Sequence, residues 1–160
     1  MRGWPSDWAA RVAGDVCDMC VPNTPDETQW GIRIFRGSTA DAVLQRADVR
    51  PGYTLVIWRG RHVTEPTQLS NDEAAAYWED VLFVARGLID YYQPLKMNYE
   101  ILGNSTPHLH THLLPRYQND PAPGTSYPLH PTTADDPPVD AAELSAQATD
   151  LRRILGFSNL

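Results

Sequence analysis

Three of the five histidines fall at alternate positions in the stretch His108-Leu109-His110-Thr111-His112. On a β-strand, residues i, i+2 and i+4 share a face. The spacing therefore predicts a strand that shows three imidazoles in a row to a cleft, with Leu109, Thr111 and Leu113 on the opposite face. A strand rises about 3.3 Å per residue, which puts the Cα atoms of His108 and His112 about 13 Å apart. With zinc–nitrogen bonds of about 2.0–2.1 Å, one metal ion reaches two neighbours of the row but hardly all three. The histidines are thus expected to have separate tasks. A neutral imidazole can be a nucleophile, a general acid or base, a hydrogen-bond partner of phosphate or a metal ligand. The plainer alternative is a His-rich surface strand, which the clustering argues against.

Two further groups could do chemistry. Cys17-Asp18-Met19-Cys20 is either a zinc half-site, a redox pair or two buried thiols. A redox pair of this spacing usually opens a helix in a βαβ unit, whereas here Val21-Pro22-Asn23-Thr24-Pro25-Asp26 reads as a loop, which suits a zinc knuckle better. Asn104-Ser105-Thr106-Pro107 reads as a tight polar turn leading into the histidine strand. It would place the Asn104 amide beside the histidine row, and the backbone N–H groups of Ser105 and Thr106 could meet a phosphate oxygen. The alternative for Asn104 is an ordinary turn asparagine. His62 follows the apolar run Tyr53–Trp58 at a strand end, and taken alone it reads as a loop histidine without a task. His130, in the tail, reads as structural or idle.

The elements that must position these groups are legible in part. A short helix is expected near Pro5–Val12. Residues 29–36 alternate as a strand, and Ala42–Arg46 reads as its hairpin partner. Tyr53–Trp58 is the most apolar strand and is expected at the centre of the sheet. Ser70-Asn71-Asp72-Glu73 matches a capping box. Behind it, Ala74, Trp78, Val81, Leu82, Ala85, Leu88, Ile89 and Tyr92 form an apolar stripe on a long helix that Pro94 ends. Lys96–Gly103 reads as a fourth strand, in a hairpin with the histidine strand. Ala141–Leu155 reads as a final helix ended by Gly156.

Length and composition bound the class. One domain is expected for 160 residues, with 42% hydrophobic and 21% charged residues. A net charge of −7 argues against a general nucleic-acid or membrane-surface binder. No run is long and apolar enough for a transmembrane helix, and the Met1-Arg2-Gly3-Trp4-Pro5 start lacks the core of a secretion signal. The cytoplasm is therefore expected, with both cysteines reduced. There are 14 prolines. More than half of them lie from Pro107 onward, so the C-terminal third is expected to be largely irregular.

The segment Gly103–Arg116, with its histidines alternating with apolar residues, resembles the signature of the histidine triad (HIT) superfamily. Pro51-Gly52-Tyr53-Thr54-Leu55-Val56-Ile57 through His62-Val63 is similar to the family's central strand, and the helix from Ser70 falls where the family has its long helix. The resemblance covers about residues 15–117 and leaves 118–160 as a Pro-rich tail with a C-terminal helix. It implies an α+β fold: a five-stranded antiparallel sheet with one long helix packed on it and a short C-terminal helix, usually paired as a homodimer. It also implies cleavage at the α-phosphorus of a nucleoside phosphate derivative, such as a dinucleoside polyphosphate, a phosphoramidate or a nucleotide sugar. By motif position His110 would be the nucleophile, forming a covalent nucleotidyl-histidine, and His112 would hydrogen-bond the phosphate. Asn104 would meet the phosphate or leaving group, with Asn98 a second candidate. Some relatives hold a structural zinc with two cysteines and two histidines, which here match Cys17, Cys20, His62 and His108. Tyr53 stands where many members have histidine and Trp58 where proline is common. Both positions are expected to border the nucleoside pocket.

Two other classes remain open at this point. In a zinc-dependent metallohydrolase, His110 and His112 would ligate a catalytic ion. In a non-catalytic nucleotide-binding module, the triad would bind without turnover.

Overall fold

The computed structural model describes residues 3–22, 24–47, 50–120, 122–124, 126 and 139–157. The expectation for His130 lies outside them. The chain runs α1 (Trp8–Ala13), β1 (Gly31–Arg36), β2 (Ala40–Gln45), β3 (Thr54–Trp58), α2 (Asn71–Tyr92), β4 (Lys96–Ile101), β5 (His110–Arg116) and α3 (Ala141–Ile154). The five strands form one antiparallel sheet in the order β1-β2-β3-β5-β4. β3 is central, as its apolar run requires. Because α2 connects β3 to β4, the histidine strand β5 is inserted between them.

α2 begins as its capping box demands. The Ser70 hydroxyl accepts from the Glu73 N–H, and the Glu73 carboxylate accepts from the Ser70 N–H at 2.8 Å. The helix ends at Gln93, which takes a left-handed conformation with φ of 49° just before Pro94. It packs on one face of the sheet, where Ile32, Ile34, Ala42, Leu44, Val56 and Leu113 join Val81, Val84 and Leu88 in the core. Tyr77, from α2, is anchored in this layer. Its hydroxyl donates to the Val56 carbonyl at 3.0 Å and shares a 2.9 Å bond with the Thr111 hydroxyl. Asp80 reaches from the same helix to the β1–β2 turn and accepts from the N–H of Thr39 at 2.7 Å and of Ala40 at 3.0 Å. α3 adds Leu144, Ala148 and Leu151 to the core, and Arg152 donates from it to the Arg33 carbonyl of β1 at 2.8 Å.

The opposite face carries the chemistry. Strand register aligns Val43, Leu55, His112 and Glu100 across β2, β3, β5 and β4, and one step along it aligns Asp41, Ile57 and His110. Leu109 and Leu113 are fully buried on the far side of the histidines, as their alternation implies.

Candidate active site and metal-ligand cluster

The three histidines differ in their place on the strand. The strand starts at His110, and His108 precedes it. The turn expected at Asn104–Pro107 is also not tight, because the connection runs from Leu102 to Leu109. Pro107 has no N–H to give to a ladder. His108 donates its N–H to Thr106 and Leu109 donates to Val63, so pairing of β4 with β5 begins only at Ile101 and Thr111. His108 lies ahead of this pairing and has partners of its own.

His108 belongs to a four-residue cluster. One ligand atom from each of Cys17, Cys20, His62 and His108 lies within 4.8 Å of every other. The Nδ1 of His108 is 3.4 Å from both thiol sulfurs, and the Nδ1 of His62 is 3.3 Å from the sulfur of Cys20. A tetrahedral zinc with bonds of about 2.3 Å to sulfur and 2.0 Å to nitrogen has S···N edges of about 3.5 Å, so these spacings fit such an ion. The Nε2 of His108 lies 2.9 Å from the Trp58 carbonyl. A carbonyl only accepts, so Nε2 carries the proton and Nδ1 offers its lone pair, the outer-shell support that ligating histidines usually have. Burial pushes the Cys20 thiol up to about 11, and Cys17 adds to the rise. Cys17 caps and Cys20 ends a single tight turn over Asp18–Cys20, and no α-helix opens at the pair. α1 closes over the cluster. Gly14, at its C-cap, has φ of 84° and lies so near His62 that a Cβ there would sit 2.9 Å from the ring.

His110 and His112 stand apart from this cluster, with ring centres 4.8 Å apart. The Nδ1 of His110 is 2.6 Å from the His108 carbonyl. The Nδ1 of His112 is 2.7 Å from the hydroxyl of Tyr53. Gly52, with φ of 84°, makes the turn that delivers Tyr53 to this position. Burial lowers the pKa of all three triad histidines. At His108 and His110 a carbonyl hydrogen bond opposes the effect, and at His112 nearby His110 reinforces it, down to about 4. At neutral pH, His110 and His112 are therefore uncharged.

Beside the two imidazoles runs a groove of about 250 Å³. Val43, Leu55 and Ile57 form its floor, Met19 and Trp30 stand along it, and Arg33, Asp41 and Arg59 supply charge. Leu55 and Ile57 are the register partners of His112 and His110, so the floor of the groove is the strand next to the two histidines. Thr106 lines it, while Asn104 and Ser105 are exposed on the loop that precedes His108. Arg11 of α1 donates to the Ser105 carbonyl at 3.3 Å. Asn98 is half-buried on β4 opposite Leu114, one register step beyond the Glu100–His112 pair. Trp58 is among the residues that line the groove. Its ring lies on the helix side, edge-on to Tyr77, because the alternation of β3 sends Trp58 to the same face as Val56. Tyr53 and Glu100 are the neighbours of the site that residue type alone did not single out as partners of His112. The Pro51-Gly52 turn fixes the position of Tyr53, but its partner depends on the β3–β5 register.

A model of the HIT domain matches residues 32–119. The protein named Protein hit from Bacillus subtilis (strain 168) is 28% identical over 120 residues, which are 71% of this chain and 80% of that protein. The crystal structure of a histidine triad protein from Marinobacter aquaeolei VT8 is similar with a TM-score of 0.63 at 25% identity, over 78% of this chain and 88% of that one. A hypothetical histidine triad nucleotide-binding protein from Sulfolobus tokodaii strain7 gives 0.65 at 19% identity, over 88% and 92%. A zinc-bound histidine triad family protein from Mycobacterium smegmatis gives 0.56 at 19% identity, over 93% and 91%.

Proposed function

On the premise that this chain belongs to the HIT-domain family, we propose that it is a nucleotidyl hydrolase or transferase that cleaves at the α-phosphorus of a nucleoside phosphate derivative through a covalent intermediate on His110. The observation that carries this reading is the bond from His110 Nδ1 to the His108 carbonyl. The carbonyl can only accept, so Nδ1 holds the proton and Nε2 presents a lone pair. Burial keeps that imidazole neutral, which a nitrogen nucleophile requires.

In the first step the Nε2 lone pair forms a bond to the α-phosphorus, and the bond from phosphorus to the leaving group breaks with its electrons. In the second, water or another acceptor attacks the nucleotidyl-histidine and returns the lone pair to Nε2. His112 hydrogen-bonds a phosphoryl oxygen as charge builds. The apolar floor of the groove takes the nucleoside, and Asn98 and the Asn104-Ser105-Thr106 loop face the phosphate chain.

Cys17, Cys20, His62 and His108 hold a structural zinc in this reading. Four protein ligands make a closed site, which braces the loop entering β5 and leaves no open position for substrate. The metallohydrolase alternative needs His110 and His112 as ligands, yet neither is in the cluster. We place the protein in the cytoplasm as a homodimer acting on a small nucleotide. No helix among the described residues is long and apolar enough to cross a membrane.

Nucleoside monophosphate release from diadenosine polyphosphates, adenosine phosphoramidate and nucleotide sugars, with and without brief exposure to a chelator, tests the reading. Release that survives chelation is expected. Release that stops on chelation and returns with metal would favour the metallohydrolase. Nucleotide binding without release from any substrate would favour the binding module.

A further inference from the structure

We infer that Tyr53 is a positioning residue that sets the tautomer of His112, so that two adjacent imidazoles present opposite functions to the same phosphorus. The inference rests on the reaction proposed above.

The Tyr53 hydroxyl lies 2.7 Å from His112 Nδ1, and the two rings are nearly parallel at 11°. Tyr53 is itself buried, so the pair is built into the packing and is not a surface encounter. At the far edge of the same imidazole, His112 Nε2 is buried without a hydrogen-bond partner among the described residues. It is therefore held ready for something that arrives.

A neutral imidazole carries one N–H, and the partner at one nitrogen decides the state of the other. At His110 the partner of Nδ1 is a carbonyl, which forces the proton onto Nδ1 and leaves Nε2 as a lone pair. At His112 the partner is a phenol. Of the two groups the phenol is the stronger acid and the imidazole the stronger base, so the better bond runs from O–H to Nδ1. The proton of His112 then sits on Nε2. The same side chain at two positions, with ring centres 4.8 Å apart, thus becomes a nucleophile at His110 and a hydrogen-bond donor at His112. No proton leaves His112 in this scheme. Its N–H meets a non-bridging oxygen of the phosphoryl group and strengthens as charge accumulates there. Were His112 in the other tautomer, its lone pair would face the phosphate oxygens and repel them.

The experiment is imidazole nitrogen NMR of the ¹⁵N-histidine-labelled full chain at neutral pH, wild type beside Tyr53→Phe, with steady-state kinetics of both on whichever substrate the wild type cleaves. The expected wild-type spectrum shows His112 protonated at Nε2. In Tyr53→Phe the two tautomers mix and kcat falls about three- to tenfold, the worth of one hydrogen bond. KM and the melting temperature change little. Wild-type His112 protonated at Nδ1 would overturn the inference, as would a Tyr53→Phe protein with an unchanged tautomer and unchanged kcat. Should Tyr53→Phe not fold, the wild-type spectrum alone decides. A wild type that releases no nucleotide defeats the proposed reaction instead, and the spectrum still settles the tautomer.

Discussion

His108 gives its two halves to two different sites: its side-chain Nδ1 lies 3.4 Å from the sulfurs of Cys17 and Cys20, while its backbone carbonyl lies 2.6 Å from Nδ1 of His110. The residue that completes the candidate metal-ligand cluster is thereby the residue whose carbonyl meets the candidate nucleophile. Whatever fixes the cluster also fixes the lone pair on His110 Nε2.

The cluster is the first part of this relationship that can be cut. Cys17→Ser removes one of the four proposed ligands, and metal affinity at such a site is also folding free energy. Zinc per chain is expected to drop well below one by elemental analysis. The melting temperature should fall by at least about 2–4 °C, the shift produced by about 1 kcal/mol in a chain of this size. Full zinc occupancy with unchanged melting would remove Cys17 from the ligand set.

Tyr77 ties α2 to the central strands through the Val56 carbonyl and the Thr111 hydroxyl. Tyr77→Phe keeps the ring and strands both partners in a dry layer, so a loss of about 1–2 kcal/mol is expected in urea titration. Since this bond lies on the helix face of the sheet, turnover per folded molecule should stay near the wild-type value. A Tyr77→Phe protein as stable as the wild type would show that the bond contributes no net free energy.

Asp80 is a buried carboxylate whose partners are mostly backbone N–H groups of the β1–β2 turn. Asp80→Ala leaves those donors unmet away from water, and a loss of about 2–4 kcal/mol is expected. Hydrogen exchange of the Thr39 and Ala40 amides gives the local readout, and their protection should fall more than that of the β3 amides. Equal loss across the sheet would indicate global destabilisation without a specific hold on the turn.

Acid should weaken the fold through His112. Its folded pKa is depressed to about 4 by burial, with His110 adding to the effect. The unfolded value is about 6.5. Between these values the unfolded chain binds more protons than the native one, so stability rises with pH across that window. The contribution is fully present above about pH 6.5 and is lost as pH falls toward 4. His112→Gln cannot titrate, so urea denaturation over pH 4–7 should show a shallower slope than the wild type, by up to one proton. Parallel slopes would mean that His112 does not titrate in this range.

How much of this was legible follows from which constraints are local. The long helix was readable because the Ser70–Glu73 cap and the three-and-four spacing of its apolar residues are local facts. The centrality of β3 was readable from its unbroken apolar run. The four-residue cluster needed the family resemblance, since Cys17, Cys20, His62 and His108 are scattered along the chain and only the fold gathers them. The alternation of the histidines correctly put His110 and His112 on one face but extended the strand too far back. Pro107, which lacks an N–H, and the bond from Leu109 to Val63 take the place of ladder pairing with β4 there. The Tyr53–His112 contact and the turn of the Trp58 ring toward Tyr77 depend on cross-strand register, which no single segment encodes.

The central claim is that His110 Nε2 takes the nucleotidyl group. The most direct measurement is mass spectrometry of the protein after rapid mixing with a cleavable nucleotide substrate and quenching in alkaline denaturant, which preserves a phosphorus–nitrogen bond. Wild type should gain the mass of one nucleotidyl group on the peptide containing His110. His110→Ala should gain none and should lose turnover by about a thousand-fold or more while keeping its fold. An adduct on another residue, or a His110→Ala protein that still turns over at a substantial fraction of the wild-type rate, would contradict the account.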